Sequence, residues 1–190
     1  MVMPRRHRYT YAQYVALEKI SPTKHEFFDG EIYAMAGGSE DHSAIAARVL
    51  AALDGAIGDR PCRVHTSDLR IYVEQLGLAT FPDGAVICGP LQQHGASPDA
   101  TALNPIVLLE VTSDSSEDYD TGGKLEAYMT IASLREYIVV SHRERRITIH
   151  RRGDGNVWVL RTAIAGGRVQ VETLAVELVV DSIYRNSSVP

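Results

Sequence analysis

Two carboxyl side chains and one lysine are placed in this sequence where they could act on a phosphodiester bond. Asp83 follows Pro82 in an apolar segment, and Glu110 lies inside the apolar run over residues 106–111. A carboxylate in such surroundings is costly unless a cation or a hydrogen-bond partner compensates it. Mg²⁺ takes oxygen ligands, commonly one or two carboxylates with water and substrate phosphate. The two acids therefore predict a shared divalent-metal site, and Lys124 is the cation that could act beside it.

The predicted group of two acids and one lysine suits metal-dependent hydrolysis. The ion would neutralise charge on the phosphate and lower the pKa of a water molecule, and a nearby ammonium would orient that water or stabilise the transition state. On a helix, Lys124 shares a face with Tyr128 and Ile131, four and seven residues further on. Both are core-like residues, so we expect the lysine to point towards the sheet, with its long stem crossing apolar surface.

Each of the three residues has a simpler explanation when it is taken alone. Pro-Asp-Gly is a common turn tripeptide, so Asp83 could simply cap a turn. Glu110 could lie at an exposed strand end, and Lys124 could be an ordinary exposed lysine of a helix. All three explanations must hold together for the site to be absent, which favours the metal-site hypothesis.

Size, charge and cysteine content restrict the class of protein. The chain has 190 residues and a formal charge of −5, so we expect one domain, 1–190 with a core over about 9–184, and no overall basic field for nucleic acid. No apolar run approaches the roughly 20 residues of a membrane span, and the basic start lacks the apolar core of a signal peptide. Cys62 and Cys88 form no disulfide framework. We expect two reduced thiols in a cytoplasmic protein without a membrane partner.

The hydrophobic pattern predicts an α/β fold. The first elements are a capped helix over 11–17, a hairpin that turns at 29–30, a helix opened by Ser39 and ended by Gly58, two strands between 62 and 87, and a loop over 89–104. They are followed by a strand over 106–111, a helix that Asp120 or Thr121 caps and that runs to about 132, and a strand over 136–140. Strands over 146–152, 156–162 and 168–174 then form an antiparallel meander, before a short helix near 181–184. The strand–helix–strand unit should be parallel and right-handed.

The order Pro82-Asp83, Glu110 and Lys124 resembles the pattern of the PD-(D/E)XK nuclease superfamily. Longer strings are similar to a bacterial family of suspected restriction endonucleases of unknown function; they are 26–39 with His42 following, 81–83, 105–113, 120–128 and 136–137. The resemblance implies a restriction-endonuclease-like mixed central sheet flanked by helices. It also implies that Asp83 and Glu110, together with the backbone carbonyl of Val111, hold the metal.

The chain departs from the superfamily at the usual position of the lysine. In the common pattern the lysine lies two residues after the second acid, and here that residue is Thr112, which has no charge. The resemblance implies that Lys124, on the following helix, takes the role instead. Because of this departure, a protein of the same fold without catalytic activity remains an alternative.

Several further polar residues are weaker candidates. Four acids and histidines could support the metal ligands, although a solvated surface position explains each of them as well: Glu26, Glu31, His42 and Asp68. The basic residues over 143–152 include Arg143, Arg145 and Arg146, with Arg151 and Arg152 beside them. They could contact a DNA backbone, and a solvated hairpin face explains them equally well.

The sequence therefore predicts a Mg²⁺- or Mn²⁺-dependent endonuclease that hydrolyses DNA phosphodiester bonds, with Asp83, Glu110 and Lys124 as catalytic residues. One alternative is a catalytically inactive nuclease-fold module that binds nucleic acid or another partner. A second is a metal-dependent hydrolase that acts on a different phosphoester. Cutting both strands of a duplex would favour a symmetric homodimer.

Overall fold

The computed structural model describes residues 7–95 and 101–190 and contains five α-helices and thirteen strands in those ranges. The helices are α1 (Tyr11–Glu18), α2 (Glu40–Ile57), α3 (Glu117–Thr121), α4 (Gly123–Met129) and α5 (Val180–Ile183). The first strands are β1 (His25–Phe28), β2 (Glu31–Ala34), β3 (Cys62–Thr66), β4 (Arg70–Val73), β5 (Leu78–Thr80), β6 (Gly84–Cys88) and β7 (Thr101–Ala102). The later strands are β8 (Val107–Val111), β9 (Glu136–Val140), β10 (Arg146–Arg152), β11 (Trp158–Ile164), β12 (Arg168–Val171) and β13 (Val176–Val179).

A six-stranded mixed sheet, in the order β11-β10-β9-β8-β6-β3, forms the centre of the molecule. Strand β8 pairs in parallel with β9, and Leu109 lies opposite Ile138. The other pairs in this sheet are antiparallel. All five residues of β8 are buried, as an apolar strand covered on both faces requires. The predicted α/β class with a mixed central sheet flanked by helices is confirmed.

Helix α2 covers one face of this sheet because its apolar residues recur at helical spacing. Ile45, Val49 and Leu53 pack with Leu109 of β8 in one buried cluster. The hydroxyl of Ser39 accepts a hydrogen bond from a backbone N–H in the first turn of α2, as the sequence predicts. The opposite face of the sheet packs against α4 and against a second sheet.

The second sheet has five strands in the order β2-β1-β5-β4-β7. Residues of both sheets line one cleft. The hairpin of the second sheet turns at Asp29 and Gly30, which both have positive φ, at 47° and 81°. A two-residue hairpin turn with positive φ at both positions favours Asp-Gly, so the predicted hairpin is confirmed. Phe27 of β1 lies opposite Ala79 of β5, and this pairing joins the hairpin to the middle of the chain.

The structure corrects four details of the predicted elements. The segment over 62–87 holds four strands rather than two, and the predicted loop over 89–104 contains the short strand β7, while 96–100 lie outside the described residues. The meander ends at β11, because β12 pairs with β13 instead. The predicted single helix after β8 is broken at Gly122, where a Cβ would stand 2.8 Å from the backbone oxygen of Asp118.

The expectation of two reduced thiols is wrong, because Cys62 and Cys88 form a disulfide. The register of β3 on β6 places the two cysteines directly opposite each other. That register is a property of the folded sheet, and a separation of 26 residues in the chain gives no sign of it. The expected cytoplasmic location loses the support that it took from free thiols. Within 7–95 and 101–190, no helix is both long and apolar enough to cross a bilayer.

Candidate active site

Asp83 and Glu110 line the same cleft, which has a volume of about 860 Å³. Asp83 immediately precedes β6, and β6 pairs antiparallel with β8 so that Gly84 lies opposite Leu109. The next pair of positions along these strands is Asp83 and Glu110, which places the two acids side by side at one edge of the sheet. The structure thus brings together the two residues that the sequence predicts as metal ligands.

Hydrogen bonds hold the two acids in a fixed relation to each other. The Val111 N–H donates to Asp83 Oδ2 at 2.8 Å, and the Asp83 N–H makes a long contact of 3.4 Å with Glu110 Oε2. Nε2 of His42, in the first turn of α2, lies 3.1 Å from Asp83 Oδ2. The Asp83 side chain, aided by the Val111 carbonyl, raises the pKa of His42. A Cβ at Gly38 would stand 2.5 Å from Nδ1 of His42, so glycine leaves the space that the imidazole fills.

Lys124 is enclosed by three carboxylates. Its Nζ lies 3.0 Å from Glu26 Oε1, 3.1 Å from Glu110 Oε1 and 3.4 Å from Asp120 Oδ1, and its side chain is only 5 % exposed. The carboxylates around it raise its pKa well above the usual value against the opposing effect of burial. The lysine is therefore charged at neutral pH, and it lies at the predicted site because α4 turns this face towards the sheet.

Hydroxyl groups complete the surroundings of the buried acids. Tyr128 donates to Glu110 Oε1 at 2.9 Å, and Thr80 donates to Glu26. Tyr119 lies with its hydroxyl against Glu26, and its ring centroid is 5.3 Å from Nζ of Lys124. Burial raises the pKa of both tyrosines, so both hydroxyls keep their protons and act as donors.

The site carries more negative charge than its own cations can balance. Four carboxyl groups, of Glu26, Asp83, Glu110 and Asp120, line the cleft. Of the two lysines in the described lining, Lys124 lies among these groups, and Lys24 is paired with Asp68 outside the lining. Burial, with added repulsion from Asp83 and Asp120, raises the pKa of Glu110 to about 8 despite the neighbouring lysine. Burial also raises the pKa of Asp120, whose buried Oδ1 has the 3.4 Å ion-pair contact with Lys124 but no hydrogen bond among the residues that the structure describes. A bound cation would relieve this excess of negative charge.

The donor set fits a hard divalent cation. The close hydrogen bonds use Asp83 Oδ2 and Glu110 Oε1, which leaves the second oxygen of each group with at most one long contact in the part of the chain that the structure describes. Among those residues, no group of three or more His, Cys, Asp or Glu is arranged to hold a metal. A cation would therefore complete its shell with the Val111 carbonyl, water and substrate oxygens, as Mg²⁺ commonly does.

The remaining acids predicted near the site have different positions. Glu26 belongs to the site through its contact with Lys124. Asp68 is exposed and pairs with Lys24 at 2.7 Å, and Glu31 accepts a hydrogen bond from Tyr33 near the hairpin turn. The described cleft lining includes Lys24 and Tyr33, but neither Asp68 nor Glu31. A role for these two acids in supporting the metal ligands stays a prediction without a contact to support it.

The arginines of the predicted basic cluster form ion pairs and hydrogen bonds within the protein. Its ion pairs join Arg143 to Glu117 at 2.5 Å, Arg146 to Glu144 at 3.1 Å, and Arg151 to Glu172. Its hydrogen bonds to carbonyls run from Arg145 to Val189, and from Arg152 to Met129, Ile131 and Leu134. As far as the cleft lining is described, it includes none of these arginines. Contact of Arg143, Arg145 and Arg146 with a DNA backbone stays a prediction.

Four residues of the site are not predicted in this role from the sequence: Thr80, Tyr119, Asp120 and Tyr128. The spacing of Asp120 and Lys124, four residues apart, is a usable signal for a helical ion pair. Thr80 reaches the site from the second sheet, and no local pattern points to it. Thr112, at the lysine position of the superfamily, is buried and hydrogen-bonds to His142 at 2.8 Å, so it brings no cation.

Comparison with known proteins places the chain in a family. The family model described as "Uma2: Putative restriction endonuclease" matches residues 11–182. "Uncharacterized protein slr1290" of Synechocystis sp. is 32% identical over 173 residues, which cover 91% of this chain and 90% of that protein. "Uncharacterized protein sll1609" of the same organism is 29% identical over 163 residues, 86% of this chain and 91% of that protein.

A solved structure shows the same fold. It is the crystal structure of "a putative nuclease belonging to DUF820" from Anabaena variabilis, at 1.96 Å resolution. The TM-score is 0.69 at 17% sequence identity, and the match covers 86% of this chain and 91% of that one. The family model spans nearly the whole chain, and its range includes Asp83, Glu110 and Lys124. The chain therefore belongs to the Uma2 family of restriction-endonuclease-like proteins.

Proposed function

We propose that this protein is a Mg²⁺- or Mn²⁺-dependent endonuclease that hydrolyses DNA phosphodiester bonds. The observation that carries the proposal is the meeting of Asp83, Glu110 and Lys124 in one cleft that has an excess of carboxylates. Membership of a family described as "Putative restriction endonuclease" supports the class of reaction. The Anabaena variabilis protein of the same fold, described as "a putative nuclease", supports it as well.

Each residue of the site has a defined part in this proposal. Asp83 and Glu110, with the Val111 carbonyl, would hold the cation, and the Val111 N–H and His42 keep Asp83 in orientation. When bound, such an ion neutralises charge on the phosphate and makes water a better nucleophile. Nζ of Lys124 lies 3.1 Å from Glu110, so it is within reach of a phosphate held there and can stabilise developing negative charge.

One observation favours the alternative of an inactive nuclease-fold module. An ammonium has three protons, and three carboxylates already surround that of Lys124. A lysine held in this way is also what a purely structural ion cluster would contain. The endonuclease and the inactive module differ in a single property, which is metal-dependent cleavage of DNA.

The proposal is tested by incubating the purified protein with unlabelled plasmid and with end-labelled oligonucleotides in Mg²⁺, in Mn²⁺ and in excess chelator. We expect cleavage in either metal and none in chelator. Addition of metal should also raise the melting temperature, because an ion that binds only the folded state stabilises it. Cleavage that survives chelation would contradict the proposal. A protein that binds DNA without cutting it under any of these conditions would be the inactive module.

Metal binding should depend strongly on pH, because the pKa of Glu110 is raised to about 8. Below that pH the carboxyl group is mostly protonated and must lose its proton to bind a cation. The affinity for Mn²⁺ should therefore rise by up to about tenfold per pH unit between pH 6 and pH 8, and level off above. Calorimetry in two buffers of different ionisation enthalpy measures both the affinity and the released proton. An affinity that is unchanged from pH 6 to pH 8 would exclude a protonated Glu110.

A further inference from the structure

The cleft extends beyond the acids into a wall of apolar and aromatic side chains. Tyr33 of the hairpin, Met35, Leu50 of α2 and Phe81 line it together with the carboxylates. Tyr33 and Tyr119 are 49% and 39% exposed, and both belong to the same cleft. Aromatic rings exposed beside a phosphodiester site offer flat surfaces on which a nucleobase can stack.

The positive charge that duplex binding requires is scarce in this cleft. Affinity for double-stranded DNA depends on lysine and arginine contacts to many phosphates along the backbone. Lys24 and Lys124 are the only lysines or arginines among the described lining residues. Lys124 is enclosed by carboxylates, and Lys24 is paired with Asp68. The chain as a whole carries a formal charge of −5.

The volume of the cleft also argues against a duplex as the ligand. A volume of about 860 Å³ is in the range of pockets that enclose compact ligands, and it can take a small number of nucleotides. In a duplex the bases are stacked and paired inside, so a duplex would present only phosphate and sugar to the exposed rings of Tyr33 and Tyr119. An unpaired strand can place its bases against these walls and its phosphate against the acids.

We propose that the substrate of this site is an unpaired DNA strand, and that a base next to the scissile phosphate stacks on Tyr33. The inference rests on the proposed nuclease function and specifies its substrate class. Tyr33 acts as a binding surface and lies opposite Glu26 in the hairpin of β1 and β2. Its hydroxyl donates to Glu31, which fixes the ring at the edge of the cleft.

The test measures binding separately from cleavage. Fluorescence anisotropy in Ca²⁺, at one fixed salt concentration, compares a labelled oligo-dT with a blunt duplex of equal length. We expect the wild type to bind the single strand at least tenfold more tightly than the duplex. Tyr33→Ala should weaken single-strand binding by roughly 5- to 150-fold, the range that loss of one stacked base corresponds to. Tyr33→Phe, which keeps the ring, should bind like the wild type.

Tyr9→Ala is the matched control, because Tyr9 is also a partly exposed tyrosine, at 38%, and does not line the cleft. Its binding should equal that of the wild type. Duplex binding as tight as single-strand binding, or unchanged binding by Tyr33→Ala, would overturn the substrate assignment. A wild type that prefers the single strand in Ca²⁺ and cuts nothing in Mg²⁺ or Mn²⁺ would overturn the nuclease function and leave the strand preference standing.

Discussion

Replacing Lys124 with methionine should lower the free energy of unfolding by about 3–5 kcal/mol, the loss typical of breaking a buried ion pair from one side. The substitution keeps most of the volume of the side chain but leaves Glu26, Glu110 and Asp120 facing one another without a cation. Urea denaturation of the metal-free protein above pH 8, where Glu110 is mostly ionised, measures the change. DNA cleavage at a temperature where the variant is folded should also fall, by on the order of 10²–10³.

Two further variants separate charge from packing. Arg161→Met removes an exposed positive charge on β11 and should alter stability by no more than about 0.5 kcal/mol. Adding Glu26→Gln to Lys124→Met removes one of the uncompensated carboxylates and should restore part of the lost stability. If Lys124→Met were as stable as the wild type, the three acids could not be charged in the folded protein, and the lysine would not be needed to hold them together.

Asp83→Asn should reduce metal-dependent cleavage by on the order of 10²–10³, with the fold intact. An asparagine oxygen can still accept the hydrogen bond from the Val111 N–H, but the neutral amide is a much weaker ligand for a hard cation. The rise in melting temperature on addition of Mn²⁺ should shrink at the same time. Cleavage rates and thermal scans with and without metal provide the two measurements.

Asp54→Asn is the control for this variant, because Asp54 is an exposed aspartate of α2 that is not among the described cleft-lining residues. It should cut DNA and respond to metal as the wild type does. A metal-induced rise in melting temperature that is the same in Asp83→Asn as in the wild type would remove Asp83 from the set of ligands, whatever the variant does in the cleavage assay.

The parts of the fold and site that the sequence predicts are those fixed by local rules. The capping box of Thr10 and Gln13 opens α1, and the Asp-Gly turn joins β1 to β2, because both depend on a few neighbouring residues. Glu110 could be singled out because a carboxyl group interrupts an apolar strand. Lys124 could be directed inwards because Tyr128 follows it on the same helical face.

The parts that the sequence does not predict depend on pairing between distant segments. Glu26 and Thr80 meet because β1 pairs with β5, about 50 residues apart in the chain. The disulfide of Cys62 and Cys88 depends in the same way on the register of β3 and β6. The break between α3 and α4 at Gly122 is not predicted either, because the backbone approach that requires this glycine exists only in the folded protein.

The three carboxylates around Lys124 come from three different parts of the molecule. Glu26 belongs to β1 of the smaller sheet, Glu110 to β8 of the larger sheet, and Asp120 to α3. The lysine can therefore be neutralised, and the site completed, only after both sheets and the helical segment have docked. Before the two sheets dock, Glu26 and Glu110 are not yet beside the lysine. Under the proposed function, the active site is therefore complete only in the finished fold.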